Sequence, residues 1–234
     1  MKYSTARVAA AAWLAISACA AHAAAYDTNL IVNGGAEQGT AGWQAYDGTP
    51  LFSAVDYGPN WVQPSQPGPA DRGANLFVGG SGVPYAAGYQ LLDLGANTAA
   101  IDAGRVSFAA SGWLGGWTNQ ADNALVYISF LDAAGNTLGN ATLGPVTPAD
   151  RNNTTGLFAV STSGWVPVGT TSASFALSME RLVSGDNDGY ADNLAFSISA
   201  VPEPGSYALM LGGLAAVGLF ARHARHARRT GARA

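Results

Sequence analysis

The strongest constraint on the fold is a strict alternation of apolar with small or polar residues in two segments. In residues 173–181 every second side chain is apolar: Ala173, Phe175, Leu177 and Met179. Residues 124–131 repeat the pattern, and one of their faces carries Ala124, Val126, Ile128 and Phe130. A period of two is that of a β-strand with one face in the core. Because no stretch of residues 26–200 sustains a helical apolar period beyond two turns, we predict an all-β fold.

Further segments of strand character recur between turn signals, in a region rich in Gly and punctuated by Pro. The predicted strands lie near residues 28–33, 42–46, 51–56, 74–79, 86–94, 104–113, 124–131, 137–143, 157–161, 165–168, 173–182 and 191–199. We expect a hairpin between the strands at 124–131 and 137–143, with Gly135 and Asn136 in its turn at positive φ. About ten short strands in one region predict a two-sheet sandwich.

The beginning of the chain differs from this region. Residues 1–25 predict a secretory signal peptide, because Lys2 and Arg7 precede an apolar stretch that ends in small residues suited to signal peptidase. Residues 16–19 also resemble a bacterial lipobox, in which Cys19 would carry lipid. We favour ordinary cleavage, since a chain anchored at its C-terminus has less need of a second anchor.

Residues 201–234 combine a short acidic-proline motif, an uncharged run and a basic tail. The motif is Val201-Pro202-Glu203-Pro204, the run spans residues 205–221, and arginines recur in residues 222–234. As a helix the run would reach about 25 Å, at the short end of a membrane span. The arginines after it predict a cytoplasmic C-terminus. This order resembles the PEP-CTERM sorting signal of bacterial surface proteins.

That resemblance implies a route for the protein. A membrane-embedded exosortase would recognise the motif while residues 205–221 hold the chain in the inner membrane. The protein would then be processed and sent to the cell surface or the extracellular matrix. A plain single-pass anchor is the alternative interpretation.

The charge of the chain is unevenly distributed. Residues 26–200 contain four Arg against fourteen Asp and Glu, so their formal net charge is −10, whereas the whole chain carries −4. A strongly acidic region does not bind nucleic acid by neutralising its phosphates. It suits cation binding and solubility outside the cell.

The same region contains no Cys, His or Lys. Within it, this excludes disulfides, Ser-His or Cys-His catalysis, histidine-ligated zinc and lysine chemistry. Among metals, oxygen-ligated ones such as calcium remain. Paired carboxylates alone suffice for glycoside hydrolysis, but no motif singles out a pair. We therefore predict no catalytic residues and place a glycan-active hydrolase behind a non-enzymatic role.

Two segments that bracket this region resemble a known family. Residues 29–37 read Asn-Leu-Ile-Val-Asn-Gly-Gly-Ala-Glu and precede Gly42-Trp43, and residues 189–196 read Gly-Tyr-Ala-Asp-Asn-Leu-Ala-Phe. The pairing is similar to galactose-binding-like jelly rolls, including carbohydrate-binding modules of secreted bacterial proteins. The resemblance implies a jelly roll whose first and last strands lie side by side.

Carried over by position, the structural calcium of several such modules would bind Glu37 and Asp192. Calcium takes six to eight oxygen ligands, and a site joining the two ends of the domain would substitute for missing disulfides. Residues 186–189 add carboxylates nearby. The alternative is a solvated acidic turn, with Glu37 and Asp192 as caps or surface charges.

Aromatic residues are the candidates for ligand binding. Residues 58–73 contain four Pro and predict a long surface loop that presents Trp61. Trp113 and Trp117 lie among glycines that permit exposure. Exposed aromatic rings can stack on sugar rings, although we favour the alternative that these three cover edges of the sandwich. Trp43 is expected in the core.

Together these features predict a non-enzymatic protein that is exported, sorted by exosortase, and serves as a structural or adhesive component of the extracellular polysaccharide matrix. The alternative is a lectin of the carbohydrate-binding-module type, which would recognise exopolysaccharide through Trp61, Trp113 or Trp117. No nucleic-acid partner is expected.

Overall fold

The computed structural model describes residues 24–201. Most of the predicted signal peptide lies outside this range, as do Cys19, the predicted span 205–221 and the basic tail 222–234. The described range contains ten β-strands, one turn of 3-10 helix and one short α-helix. Neither of these two helices is long and apolar enough to cross a membrane.

The strands form two antiparallel five-stranded sheets. Their bounds are β1 Gln44–Ala45, β2 Ser53–Asp56, β3 Asn75–Gly80, β4 Tyr85–Asp93, β5 Val106–Gly116, β6 Asn123–Leu131, β7 Thr137–Leu143, β8 Gly156–Trp165, β9 Ser172–Glu180 and β10 Asn187–Ala200. The first sheet has the order β1-β4-β9-β6-β7 and the second the order β2-β3-β10-β5-β8. A 3-10 turn (Gly95–Asn97) and helix α1 (Thr98–Asp102) connect β4 to β5. The predicted all-β, two-sheet fold is confirmed.

The inner faces of both sheets share one hydrophobic core. The four apolar side chains predicted to point inward on β9 are fully buried, and those on β6 are at most 2% exposed. Phe108 of the second sheet meets Phe130 of the first with ring centroids 4.9 Å apart. Trp43, predicted in the core, is buried and packs edge-on against Phe52. Alternation in the sequence therefore identified the inward faces of these strands correctly.

Residues 28–33, predicted as a strand, form an irregular segment that leads into a turn at residues 32–33. The reason is Asn29, whose side-chain oxygen accepts hydrogen bonds from the N–H groups of Ile31 and Phe196 in place of a regular ladder. The segment nevertheless lies beside β10, since the N–H of Leu30 donates to the carbonyl of Phe196 at 2.8 Å. The first and last segments are thus neighbours, as the resemblance implied, although the first is not a strand.

Two further predictions about strands and turns are corrected. Residues 157–161 and 165–168 were predicted as separate strands, but β8 pairs with β5 without interruption across the gap and ends at Trp165.

In the β6–β7 turn Gly135 has the predicted positive φ, at 84°, whereas Asn136 does not. The Asp132 carboxylate accepts hydrogen bonds from the backbone N–H of Asn136 at 2.8 Å and from its side-chain amide at 2.9 Å, which fixes Asn136 in another conformation.

Residues 57–74 connect β2 to β3 and contain the long loop that was predicted at 58–73. We call this segment the cover loop, because it lies over the outer side of the second sheet. A second hydrophobic cluster is enclosed between loop and sheet, and its buried members are Val62, Leu76, Val78, Leu157 and Tyr190. Here the second sheet is buried on both sides.

Candidate functional site

The two residues of the predicted calcium site lie near each other, where the N-terminal segment meets β10. Asp192 is fully buried and precedes a bulge, since the register between β10 and β5 shifts after it and Asn193 has a φ of 47°. Its Oδ2 accepts a hydrogen bond from the Tyr57 hydroxyl at 2.6 Å, and its Oδ1 accepts one from the N–H of Asn193 at 2.7 Å. The cover loop therefore reaches Asp192 through Tyr57.

Glu37 is exposed but is fixed to the end of the same loop. Its Oε1 accepts hydrogen bonds from the N–H groups of Ala74 and Asn75, both at 2.9 Å. A side chain at Gly73 would place its Cβ 2.4 Å from that oxygen, and Gly73 also has a positive φ of 64°. Glycine is thus required at position 73 for the Glu37 carboxylate to sit against the loop.

Burial raises the pKa of Asp192 to about 7. Hydrogen bonds from Tyr57 and Asn193 lower this pKa in part, whereas the nearby carboxylates of Glu37 and Asp71 raise it further. A bound cation would offset both the burial and the repulsion among these carboxylates.

The donor set fits calcium only in part. Among residues 24–201 no three His, Cys, Asp or Glu side chains are grouped so that they could hold a metal ion. Calcium at Glu37 and Asp192 would therefore take most of its six to eight oxygens from other donors, such as backbone carbonyls. The ion stays a prediction.

The carboxylates of residues 186–189 belong to a different set of contacts. Asp188 is buried, which raises its pKa, and it accepts a hydrogen bond from the Tyr190 hydroxyl at 2.6 Å. Arg151 is only 1% exposed, and burial lowers its pKa, although the charges of Asp122 and Asp188 counteract this. These groups tie loops together at one end of the sandwich, which is a structural role.

Trp61, Trp113 and Trp117 are half-buried against the second hydrophobic cluster. Trp61 packs edge-on against Tyr190, with ring centroids 6.3 Å apart. Trp113 also lines a shallow pocket together with Asp71. All three rings contribute to the cover over the second sheet, and their use in stacking on sugars stays a prediction.

Four tyrosines lie on the outer side of the first sheet, and none of them is among the site residues predicted from the sequence. Tyr46 follows β1, Tyr85 and Tyr89 lie on β4, and Tyr127 lies on β6. Tyr46, Tyr85 and Tyr127 are between 41% and 45% exposed. We call this surface the tyrosine face. One signal for it was present in the sequence, because Tyr127 alternates with the buried residues of its strand and so had to face solvent.

Strand β9 runs between the tyrosines and supplies a floor of small side chains. Ala176 of β9 pairs with Tyr89 of β4 on one side and with Tyr127 of β6 on the other. Because neighbouring strands lie about 4.8 Å apart, the backbones that carry these two tyrosines are about 10 Å apart across β9. The other floor residues are Ser172, Ser174 and Ser178. The floor therefore extends for about 20 Å along the strand.

Tyr46 adds to the wall on the β4 side of this floor. Its ring lies 4.7 Å from that of Tyr89, centroid to centroid, at a tilt of 33°. Burial raises the pKa of Tyr46, while a hydrogen bond with the Ser174 side chain lowers it in part. The phenol is therefore neutral at physiological pH and serves as both donor and acceptor. Ring faces, phenol groups and serine hydroxyls thus converge on one open surface.

The sandwich is similar to several solved structures. A family 16 carbohydrate-binding module is 23% identical with a TM-score of 0.49, and the match covers 72% of this chain and 99% of that one. The enzymatically active domain of tailspike protein 4 from bacteriophage CBA120 is 16% identical with a TM-score of 0.48, over 73% and 21% of the two chains. The CBM22-1 xylan-binding domain of Paenibacillus barcinonensis Xyn10C is 15% identical with a TM-score of 0.43, over 77% and 99%.

No curated protein matches the chain. Residues 200–226 match the family model of the PEP-CTERM protein-sorting motif, which confirms the resemblance seen in this segment of the sequence. The match begins at Ala200, the last residue of β10, so that the motif follows the sandwich directly. The chain thus joins a β-sandwich to a PEP-CTERM protein-sorting motif.

Proposed function

We propose that this protein is exported, is sorted to the cell surface by exosortase, and binds extracellular polysaccharide along the tyrosine face as an adhesive component of the matrix. The observation that carries the binding role is the position of Tyr89 and Tyr127 on either side of the small-residue floor of β9. The sorting motif at residues 200–226 supports export and processing.

A sugar chain has apolar ring faces and hydroxyl edges, and tyrosines offer a complement to both. A chain lying along β9 would meet aromatic rings on two sides and serine hydroxyls beneath it. The core behind the sheet is closed by β9 residues that are fully buried, so it does not need these rings as a lid. Their exposure is therefore better explained by a ligand than by packing.

The net charge of the domain indicates which class of polysaccharide it would bind. Residues 26–200 carry a formal net charge of −10. Like charges repel, so an anionic polysaccharide is disfavoured relative to a neutral one. We therefore assign the tyrosine face to a neutral glycan.

Retention on neutral polysaccharide from the producing bacterium tests this assignment. The protein is recovered from the cell surface and applied to the immobilised glycan. Tyr89→Ala and Tyr127→Ala are expected to reduce retention tenfold or more, since each removes a stacking ring. Val168→Ala, which removes an exposed apolar side chain from the loop between β8 and β9, is the control and should retain full binding. Loss of retention in Trp61→Ala, Trp113→Ala or Trp117→Ala but not in the tyrosine variants would place the glycan at the cover loop instead.

We propose binding without turnover. The buried carboxyls of Asp188 and Asp192 are each engaged by a tyrosine hydroxyl, which supports structural roles for them. Incubation with the retained glycan should release no new reducing ends. Release that disappears on changing one Asp or Glu would instead identify a hydrolase.

The sorting role has its own test. Glu203→Ala should leave the unprocessed chain in the inner membrane, because the acidic residue of the motif is lost. Glu180→Ala, at the exposed end of β9, is the matched control and should be processed normally. If Glu203→Ala yields the shortened surface form at the normal rate, the motif is not read through this residue.

A further inference from the structure

Strand β8 is an edge of the second sheet and is paired with β5 on one side only. It spans Gly156–Trp165 and contains neither proline nor a charged residue. The uncharged stretch is longer than the strand, since residues 152–179 contain no Asp, Glu, Lys or Arg. In an acidic domain, an uncharged edge opposes the approach of another acidic chain less than a charged edge would.

The hydrogen-bond pattern shows which groups of β8 face away from the sheet. The N–H of Val166 donates to the carbonyl of Val106 at 2.9 Å, which makes these two a hydrogen-bonded pair. Such pairs alternate along an antiparallel ladder, so the even-numbered residues of β8 bond to β5 and the odd-numbered ones point outward. Leu157 agrees with this, because its N–H donates outward, to Pro67 of the cover loop, at 2.9 Å.

Beyond Leu157, four residues direct both N–H and C=O to the open side of the sheet. They are Ala159, Ser161, Ser163 and Trp165. All four are exposed. An exposed row of backbone donors and acceptors is a template for another strand.

The other sheet edges carry features that limit such pairing. Strand β1 has two residues, and β2 has four and ends in Asp56. Strand β7 has a register irregularity against β6 near Leu131. Short strands, edge charges and bulges are the means by which proteins protect edges. Strand β8, ten residues long and evenly paired, has none of them.

We propose that β8 pairs antiparallel with β8 of a second copy of this chain, so that the two second sheets join across a two-fold axis. The register that uses all four outward residues sets Ala159 against the second copy's Trp165 and Ser161 against its Ser163. Trp165 is 60% exposed in the single chain, and in this register it lies beside the smallest of the four side chains. A two-fold contact of this kind is self-complementary and closes as a dimer. Two linked domains would present two tyrosine faces, which strengthens attachment to a polymeric glycan through avidity.

Cysteine cross-linking of the intact chain in the producing bacterium tests the register. The double variant S161C/S163C places two thiols opposite each other in hydrogen-bonded pairs, where the Cα atoms are about 5.5 Å apart and suit a disulfide. Few other disulfides can form, because the only native cysteine is Cys19. The matched control is S197C/S199C, with the same residue types and spacing on the central strand β10. We expect a band of twice the chain mass under non-reducing conditions for the β8 variant only.

Equal cross-linking in the two variants, or none in either, overturns the proposal. A β8 band at a mass other than twice the chain overturns it too, since the edge would then belong to a different protein.

A second measurement does not depend on added cysteines. Ser163→Pro removes an outward N–H without touching the ladder to β5, and Ser163→Lys places a charge on the edge. Light scattering of the surface form should show a dimer for the unaltered protein and a monomer for both variants, with the β-sheet circular dichroism signal kept. A dimer that persists in Ser163→Lys overturns the proposal. On a matrix with sparsely spaced glycan, each domain binds alone, and Ser163→Lys should leave retention per domain unchanged. Failure of the dimer can therefore be told apart from failure of glycan binding at the tyrosine face.

Discussion

The outer sides of the two sheets differ in what covers them. On the second sheet the cover loop encloses Leu76 and Tyr190, which are fully buried. On the first sheet Tyr127 and Leu91 remain 41% and 57% exposed. Both sheets contribute inner-face side chains to the same hydrophobic core, so the core does not explain the difference. The outer side of the second sheet is therefore partly covered by the cover loop, whereas the outer side of the first sheet is left exposed.

The largest effect should come from the same substitution made on each side. Leu76→Ala removes a buried side chain beneath the cover loop and should lower the free energy of unfolding by about 2–5 kcal/mol. Leu91→Ala removes an exposed side chain from the first sheet and should change it by about 0.5 kcal/mol or less. Urea unfolding of both variants measures this. Comparable losses in the two variants would show that both outer sides contribute to stability to a similar extent.

The next effect concerns the buried carboxyl at the margin of the cover loop. Because the pKa of Asp192 is raised to about 7, the folded state keeps a proton that the unfolded state loses above about pH 4. In chelator, stability should therefore fall as the pH rises from about 4 to about 7, by up to about 1.4 kcal/mol per unit from this group. Asp192→Asn should remove that part of the slope, whereas Asp47→Asn, at an exposed turn, should keep it.

Calcium provides the counterpart of this experiment. At a pH above 7, an ion bound by Glu37 and Asp192 would raise the thermal unfolding midpoint. It would also weaken the dependence of stability on pH, since it compensates the charge of Asp192. Superimposable curves with calcium and with chelator would remove the ion from this site. A slope that survives in Asp192→Asn would assign the pH dependence to another group.

The smallest effect compares two glycines in the left-handed region. Gly73 at the cover loop and Gly48 near the tyrosine face have φ of 64° and 72°. Alanine should cost about 1 kcal/mol at each from backbone strain. Gly73→Ala should cost about 1–2 kcal/mol more, because its Cβ would displace the Glu37 carboxylate from its hydrogen bonds, whereas a Cβ at Gly48 has no atom within 4 Å. Thermal unfolding measures the pair. When Glu37 is also changed to Ala, Gly73→Ala should cost no more stability than Gly48→Ala. A larger cost at Gly73 that persists there would point to another contact.

Patterns in the sequence predicted those parts of the fold where one face of a strand is buried. Strands β6 and β9 were predicted with the correct inward residues, because a buried face leaves a period of two in the sequence. Residues 28–33 were predicted wrongly, since the Asn29 side chain replaces backbone pairing there. A side chain that substitutes for a ladder leaves no periodic signal.

The tyrosine face and the burial of Trp61 depend on contacts between segments that are distant in the sequence. Tyr89 and Tyr127 share a surface only because β9 lies between their strands. Trp61 is held against Tyr190, far along the chain. The family resemblance placed Glu37 and Asp192 in one site, and the Glu37 carboxylate does act electrostatically on Asp192, although calcium between them stays a prediction.

The end of β10 has a mechanical consequence. Ala200 is still paired with Val106, and the N–H of Val201 donates to the carbonyl of Arg105 at 2.8 Å. Glu203 is therefore only two residues beyond the last backbone bond of the sandwich, a tether of at most about 7 Å. A link this short keeps whatever holds the chain at Glu203 within about 7 Å of the end of β10. Any protein that binds the motif at Glu203 therefore has to approach the sandwich itself.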